Sequence, residues 1–382
     1  MTYDRSTGKI LSVELPKQEK YVLKISPERA IHLGPGKVLF DERGLINRAP
    51  LSEPLSVAMP SFKGNIELPY WDDHWMGLVL GKASSVAEWL LVLALIADAA
   101  EPGYPAAAPI LGRFIDGAQN IDTPDGNGAT MLMWLLYQGK LDLAERLIAR
   151  KANLHPKGSI SISEDIPEYY GGVLQLAVAR KDPALLDLLA ATKRLDVNMG
   201  EWDSGKKAFS SWTALHMALF SPEPSLEIVK KLVEMGASLT ATWKDSDGYV
   251  YDALTILLSG STSQNPATWS IYEYLLGQGL KPNLEDGKLL AAAVFHPLSL
   301  ADLLARGARP DTPYIDGRTP LIIAVGNGLK ESARLIVASG ADPLLAVSVL
   351  DNQGKAVKIT AMDLALERKL PHMRAILEGN EK

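Results

Sequence analysis

The sequence predicts a mainly α-helical solenoid built by repetition, with a small β-containing region at its N-terminal end. Three observations predict it. The stretch "DGRTPLIIAVGNGLKESARLIVASGADPL" (316–344) reads as two short apolar helices with a Gly-rich turn between them and a Gly stop behind them. The pattern recurs along the chain at near-constant spacing, which marks a stacked repeat. Residues 1–80 do not follow it and carry short Val/Ile/Leu-rich runs bounded by Gly or Pro instead.

In that N-terminal region "GKILSVEL", "YVLKI" and "GKVLF" read as strands. "RAPLSEPLSVAMPSFKGNIELPYWDDHW" is rich in Pro and reads as extended. Residues 1–80 are therefore expected to form a cap or a covering segment over the first repeat, and residues 81–382 the solenoid. The most apolar run, "VAEWLLVLALIADAA" (86–100), has an uninterrupted part from Trp89 to Ala97. That is too short to span a bilayer and predicts a buried helix. With "PILGRFIDGAQNID" it makes a first copy of the repeat.

The reference stretch places Thr319-Pro320-Leu321 before Ala324, then Gly328, Leu335-Ile336 and Gly340-Ala341-Asp342. "GATMLMWLLYQGKLDLAERLIARKANL" puts Thr130, Leu132, Gly139, Leu147 and Ala152-Asn153 at the same offsets. "SWTALHMALFSPEPSLEIVKKLVEMGASL" does so with Thr213, Leu215, Ala218 and Gly236-Ala237-Ser238, with an insertion in its turn. Copies at 171–198, 250–283 and 287–310 lack the Thr-Pro start, and "KITAMDLALERKLPHMRAILEG" ends the array. Thr can cap the first helix by accepting from a free N–H, and Pro is tolerated in the first turn. Leu and Ala at helical spacing face inward, and Gly supplies the stop. One unit cannot bury its apolar face, whereas stacked units share a core.

The residues "GRTPLIIA" (317–324), "WTALHMAL" (212–219), "GADP" (340–343), "GASL" and "TAMDLA" (360–365) resemble the ankyrin repeat over roughly 86–378. The resemblance implies an ankyrin-repeat solenoid of about seven to eight helix-turn-helix units with β-hairpin finger loops. It implies a non-enzymatic protein-protein interaction module: an adaptor, a cytosolic inhibitor or a bacterial toxin-immunity protein. For His216, in "TALHMAL", it implies a scaffold role, bonding the neighbouring turn.

Several connections exceed the minimum: "HPKGSISISEDIPEYYGG", "MGEWDSGKKAFSS", "TATWKDSDGYVYD" and "LAVSVLDNQGKAVKIT". The last two read as β-hairpins, turning at Asp247-Gly248 and at Asp351-Asn352-Gln353-Gly354. Trp202, Trp243, Tyr249, Tyr251, Tyr169 and Tyr170 lie in these connections and Tyr314 in the one before the reference stretch, all outside the repeat core. Tyr and Trp give large contacts at low entropic cost, so these seven are the candidate partner-binding residues on the fingers and concave face. The competing reading packs them under their own loops.

The 382 residues are 47% hydrophobic and 22% charged, with net charge −6. Such a chain forms a core and lacks the basic footprint of a nucleic-acid binder. The absence of Cys excludes disulfides, Cys-ligated zinc and thiol catalysis. "MTYDRSTGKILSVELPKQEK" lacks the apolar core of a signal peptide, which predicts a cytoplasmic location. "GLVLGKAS" (77–84) has three residues between its glycines and Ala83 after Lys82, and so departs from a phosphate-binding loop. In "YWDDHW" (70–75), Asp72, Asp73 and His74 are contiguous and converge poorly on one ion, so they read as a charged turn. His32, His155, His296 and His372 show no paired spacing, and the acids Glu164-Asp165 and Asp245/Asp247 fall in loops. No catalytic residue, cofactor or metal is implied, and no membrane or nucleic-acid partner; the chain is expected to be a monomer when unbound. The alternative gives residues 1–80 a metal-dependent or enzymatic activity, with the repeats as substrate receptor.

Overall fold

The computed structural model describes residues 2–3, 10–15, 21–26, 29–33, 36–40, 46–58, 65–72, 92, 107–158, 160, 172–203, 206, 208–260, 265–350 and 356–380. Contacts divide the chain into two units, residues 1–176 with 202–207, and residues 177–201 with 208–382. The boundary expected near residue 80 and the phosphate-loop look-alike lie outside the described residues, as does the helix expected at Trp89–Ala97 apart from Val92, which is helical and buried.

The first unit opens with seven antiparallel strands in one sheet: β1 (Thr2–Tyr3), β2 (Ile10–Leu15), β3 (Tyr21–Ser26), β4 (Arg29–Leu33), β5 (Gly36–Phe40), β6 (Ile46–Ala58) and β7 (Asn65–Asp72). Their order is β1-β2-β5-β6-β4-β3, with β7 also on β6. Leu33 and Val38 are buried. The segment read as Pro-rich and extended is thus a long hairpin, β6 with β7. Pairing runs Arg48↔Asp72 to Pro50↔Tyr70, then resumes only at Leu55↔Leu68. Pro lacks the N–H that a ladder requires, so the register breaks where Pro50 and Pro54 sit. In the gap Leu51 pairs with Leu33 of β4.

The same unit continues into α1 (Ala107–Gly117), α2 (Met131–Tyr137) and α3 (Leu141–Ala149). Leu111, Ile115, Leu132, Leu135 and Leu147 are fully or almost fully buried there. Two arginines of α3 and its cap tie α1 down. Arg146 bonds Asp116 and donates to the Gly112 carbonyl at 3.1 Å, while Arg150 donates to the carbonyls of Ile115 and Ala118.

Helix α4 (Val173–Ala179) crosses the division. The second unit then holds α5 (Pro183–Ala191), α6 (Ala214–Leu219), α7 (Leu226–Glu234), α8 (Ala253–Gly260), α9 (Pro266–Gly277), α10 (Gly287–Ala293), α11 (Pro297–Ala305), α12 (Pro320–Gly326), α13 (Lys330–Ala338), α14 (Ala361–Glu367) and α15 (Pro371–Leu377). Strands β8 (Gly200–Asp203), β9 (Ala208–Thr213), β10 (Trp243–Lys244), β11 (Val250–Tyr251), β12 (Val347–Leu350) and β13 (Ala356–Ile359) lie in the connections. The hairpins expected there are β10–β11 and β12–β13, both antiparallel.

Helices α6, α8, α10, α12 and α14 pack in series as an inner row; α5, α7, α9, α11, α13 and α15 pack in series as an outer row. The inner row is where Ala sits, at Ala218, Ala253, Ala293, Ala324 and Ala365, all buried. Small side chains there let helices approach closely. The approach is close at Gly260, where a Cβ would lie 2.4 Å from the Phe220 Cα.

Each inner helix starts at a side-chain cap. Thr213, Thr319 and Thr360 accept from the N–H three residues on. The copies without Thr use Asp instead: Asp252 accepts from Thr255 N–H at 2.8 Å and Asp286 from Lys288 N–H at 2.8 Å. Both residue types place an oxygen over the orphan donors. Neighbouring repeats are also stitched by an acceptor that the sequence pattern did not single out. Asp122, Asn198 and Asp311 accept from the backbone N–H of Asn153, Ser238 and Asp342 respectively.

The helix stops are left-handed. Gly236, Gly279, Gly307 and Gly340 have φ between 91° and 100°. Lys151 (φ 67°) and Lys369 (φ 54°) occupy comparable turns with a side chain that resists that conformation. Replacing either exposed Lys by Gly is expected to stabilise the fold by about 1 kcal/mol. A urea midpoint that stays level or falls in Lys369→Gly would count against strain at that stop.

Candidate functional site

The fingers start from one turn used three times. Asp125, Asp245 and Tyr314 each donate N–H to the residue four positions on (Ala129, Tyr249, Arg318). Each also accepts, at its carbonyl, the N–H of a Gly three positions on (Gly128, Gly248, Gly317). These glycines have φ of 80°, 90° and 83°, as the turn requires. In the first two fingers the Asp side chain folds back on the turn: Asp245 Oδ1 accepts from Asp247 and Tyr249 N–H at 3.0 and 2.9 Å. The third finger has Tyr314 in that place. Its turn is held instead by Asp316, which accepts from the Arg318 backbone at 3.0 Å and guanidinium at 2.6 Å. The side chain at the head of that turn is thereby released.

A row of rings runs along these fingers. Trp212, just before the Thr213 cap, packs edge-on against Phe220 at 5.7 Å and Trp243 at 5.0 Å between centroids. Trp243 continues to Tyr251 at 5.5 Å, and the two are cross-strand partners in the β10–β11 hairpin. The Tyr251 hydroxyl bonds the side chains of Asp245 and Tyr314, and burial first, then these partners, push its pKa well above the usual phenol value. Lys288 Nζ lies 5.8 Å from the Tyr251 ring centroid, within cation–π range. Phe220 is 51% exposed, Tyr249 40% and Val250 45%, while Trp212, Trp243, Tyr251 and Tyr314 are half-buried.

His216 sets this row on the scaffold. It is fully buried, its Nε2 lies 3.2 Å from the Ala241 carbonyl in the following connection, and its Nδ1 lies 3.2 Å from the Thr213 N–H. His296, also buried, has Nε2 3.0 Å from the Leu258 carbonyl of the preceding repeat. Burial lowers both pKa values below the ordinary 6.5, the backbone bonds opposing it only in part. With the folded pKa depressed, the unfolded chain takes up protons first as pH falls. Stability is therefore complete above 6.5 and declines as pH drops below that value. The urea midpoint is expected to fall between pH 7 and about pH 5, and His216→Gln with His296→Gln to flatten that slope.

Beside the ring row, α8, α10 and α12 border a groove of about 570 Å³. Tyr251 and Tyr314 form its finger side, Thr255 and Leu258 come from α8, Lys288 from α10, and Phe295 and Arg318 from the flanking turns.

Of the residues expected to bind a partner, Trp243, Tyr251 and Tyr314 are brought together, and Tyr249 stands exposed on the same hairpin. Trp202 is in β8, its side chain outside the described residues, as are Tyr169 and Tyr170 altogether. Trp212, Lys288 and Arg318 were not anticipated. Asp72 ends β7, whereas Asp73 and His74 lie outside the described residues. Among the described residues no group of three or more His, Asp or Glu is placed to hold a metal ion, and no helix is long and apolar enough to cross a membrane.

Residues 316–347 match the family model of the ankyrin repeat. No curated protein matches the chain. Among solved structures, the human ASB11 ankyrin repeat domain is 20% identical, with 66% of this chain and 99% of that one covered and a TM-score of 0.44. A chain from the complex of the predatory endopeptidase Bd0816 of Bdellovibrio bacteriovorus with immunity protein Bd3460 is 20% identical, covering 55% and 98%, with a TM-score of 0.41. The ankyrin repeat domain of Bcl-3, a member of the IkappaB protein family, is 21% identical, covering 66% and 100%, with a TM-score of 0.40. The repeat assignment rests on residues 316–347 and on the recurring caps, stops and paired helix rows. Residues 316–347 are thus an ankyrin repeat, and the recurring caps, stops and paired helix rows give the second unit the fold of an ankyrin-repeat solenoid, a fold that serves as a binding module for proteins.

Proposed function

We propose that this chain is a non-enzymatic binding protein, which takes one protein partner on the fingers and inner helices of residues 212–327. The observation that carries the reading is the continuous ring row, Phe220–Trp212–Trp243–Tyr251, beside a groove. Its hydroxyl and cation partners hold the rings in place before any partner arrives. Preorganised aromatic surface of this kind concentrates binding energy in a few residues. Tyr249 adds an exposed ring to the same hairpin. Trp202, Tyr169 and Tyr170 belong to the proposed surface on sequence grounds alone. Residues 1–80 act as a cap, and the free protein works as a cytoplasmic monomer.

The test is capture from the native cell extract by wild type and by Trp243→Ala/Tyr251→Ala, each checked by a melting curve. A partner held by the wild type and lost from the folded variant supports the reading. Equal capture by both contradicts it. An inhibitor or immunity role further predicts that the captured partner loses its own activity in the complex.

A further inference from the structure

The groove carries a charge pattern opposite to that of the chain. The protein has 45 acidic against 39 basic residues. Its lining nevertheless includes Lys288 and Arg318 and no Asp or Glu. Two smaller cavities of the same unit mix both signs, Lys181 with Glu223 in one and Lys193 and Lys231 with Asp187 and Glu234 in the other. Lys288 pairs with Asp286 at 3.2 Å and Arg318 with Asp316 at 2.6 Å, but neither acid lines the groove. An ammonium has three N–H donors and a guanidinium five, so each cation keeps donors to spare.

A second observation is independent of charge. Thr255 lines the groove and is 1% exposed, and its hydroxyl has no hydrogen-bond partner among the described residues. The hydroxyls of Thr130 and Thr268 are buried without a partner as well, but of the three Thr255 is the one in this groove. A buried hydroxyl without a partner is costly, and one at a groove wall is a donor that an occupant can satisfy. Leu258 and Ile323 add apolar surface, and Phe295 is 37% exposed beside them.

We propose that this groove seats an acidic segment of the protein partner, with an Asp or Glu carboxylate held by Lys288 and Arg318 and bonded by the Thr255 hydroxyl. The flanking aliphatic or aromatic residue of that segment packs on Phe295 and Leu258. The inference rests on the protein-binding reading above and adds the chemistry of what is bound. Guanidinium–carboxylate pairing in a partly enclosed site gives directional, salt-sensitive recognition.

The experiment uses the full chain and fluorescein-labelled decapeptide pools rich in Leu and Phe, carrying two acidic residues, the matching amides, or two lysines. Anisotropy is expected to show the acidic pool binding at least ten-fold more tightly than the amide pool, and the lysine pool weakest. K288Q/R318Q should bring the acidic pool down to the amide level, and T255V should weaken it several-fold. R318Q alone, which leaves the Asp286 cap pair intact, is the second variant should the double one melt early. Equal binding of the acidic and amide pools, indifference to R318Q, or no binding of any pool would overturn the proposal. Capture from extract separates the two readings. A partner kept by K288Q/R318Q but lost from Trp243→Ala/Tyr251→Ala sinks the acidic-segment proposal and leaves the finger surface standing. A partner kept by both variants sinks the surface itself.

Discussion

Trp243→Ala/Tyr251→Ala is expected to weaken partner binding by at least about 100-fold, since central aromatic anchors each contribute about 2 kcal/mol or more when truncated. The loss should appear in the off-rate, because the anchors act after encounter. Stability falls too, since Trp243 supports Trp212, which supports the buried His216 ring at 5.7 Å. Binding must therefore be compared under conditions where both proteins are fully folded. Tyr249→Ala is the cleaner companion: the ring is 40% exposed, so its removal should leave the melting temperature within the error of the wild type. A drop in affinity from Tyr249→Ala without a drop in stability places the partner on the finger itself.

The largest expected effect on stability belongs to Tyr272. It is fully buried on α9, stacks on Trp269 at 5.4 Å and 18°, and donates its hydroxyl to Asp302 at 2.9 Å on α11. Asp302 also accepts from Arg306 at 2.6 Å, so the phenol joins two successive outer helices to an ion pair. Burial and the Asp302 carboxylate together raise the phenol pKa far above its usual range, which keeps it a donor at all working pH. Tyr272→Ala should cost about 3–5 kcal/mol through the cavity it leaves. Tyr272→Phe keeps the volume and removes one hydrogen bond, and should cost about 1 kcal/mol. Asp302 keeps Arg306 and some solvent access, so the orphaned acceptor is not stranded. Equal costs for the two variants in urea melts would show that packing is not what Tyr272 supplies.

The repeat was legible because its signals are local. A cap at one offset and a Gly at another fix a helix pair without knowledge of any neighbour. Even the copies that lack Thr obey the rule, with Asp252 and Asp286 at the cap position. The N-terminal sheet was less legible. Its strands pair across sequence gaps, as β2 does with β5 and β4 with β6, and the prolines of β6 make that strand look like a linker.

The candidate site was visible only where it leaves the repeat. Trp243 and Tyr251 stood out because they occur in a long connection, and Tyr314 because it lies outside the repeat core. Trp212 sits inside a well-matched copy, directly before Thr213, and reads there as ordinary repeat. Thr255, Lys288 and Arg318 belong to successive repeats and meet only because the inner helices stack. No window of sequence contains all three.

Hydrogen exchange of the purified complex tests the central claim most directly, because it reports where the partner sits without altering a residue. Slowed exchange is expected at the hairpin residues 243–251, at the end of α8 through residue 259, and at the turn 314–318. Protection confined to the outer helices, such as 266–277 and 330–338, or to the N-terminal strands, would contradict it.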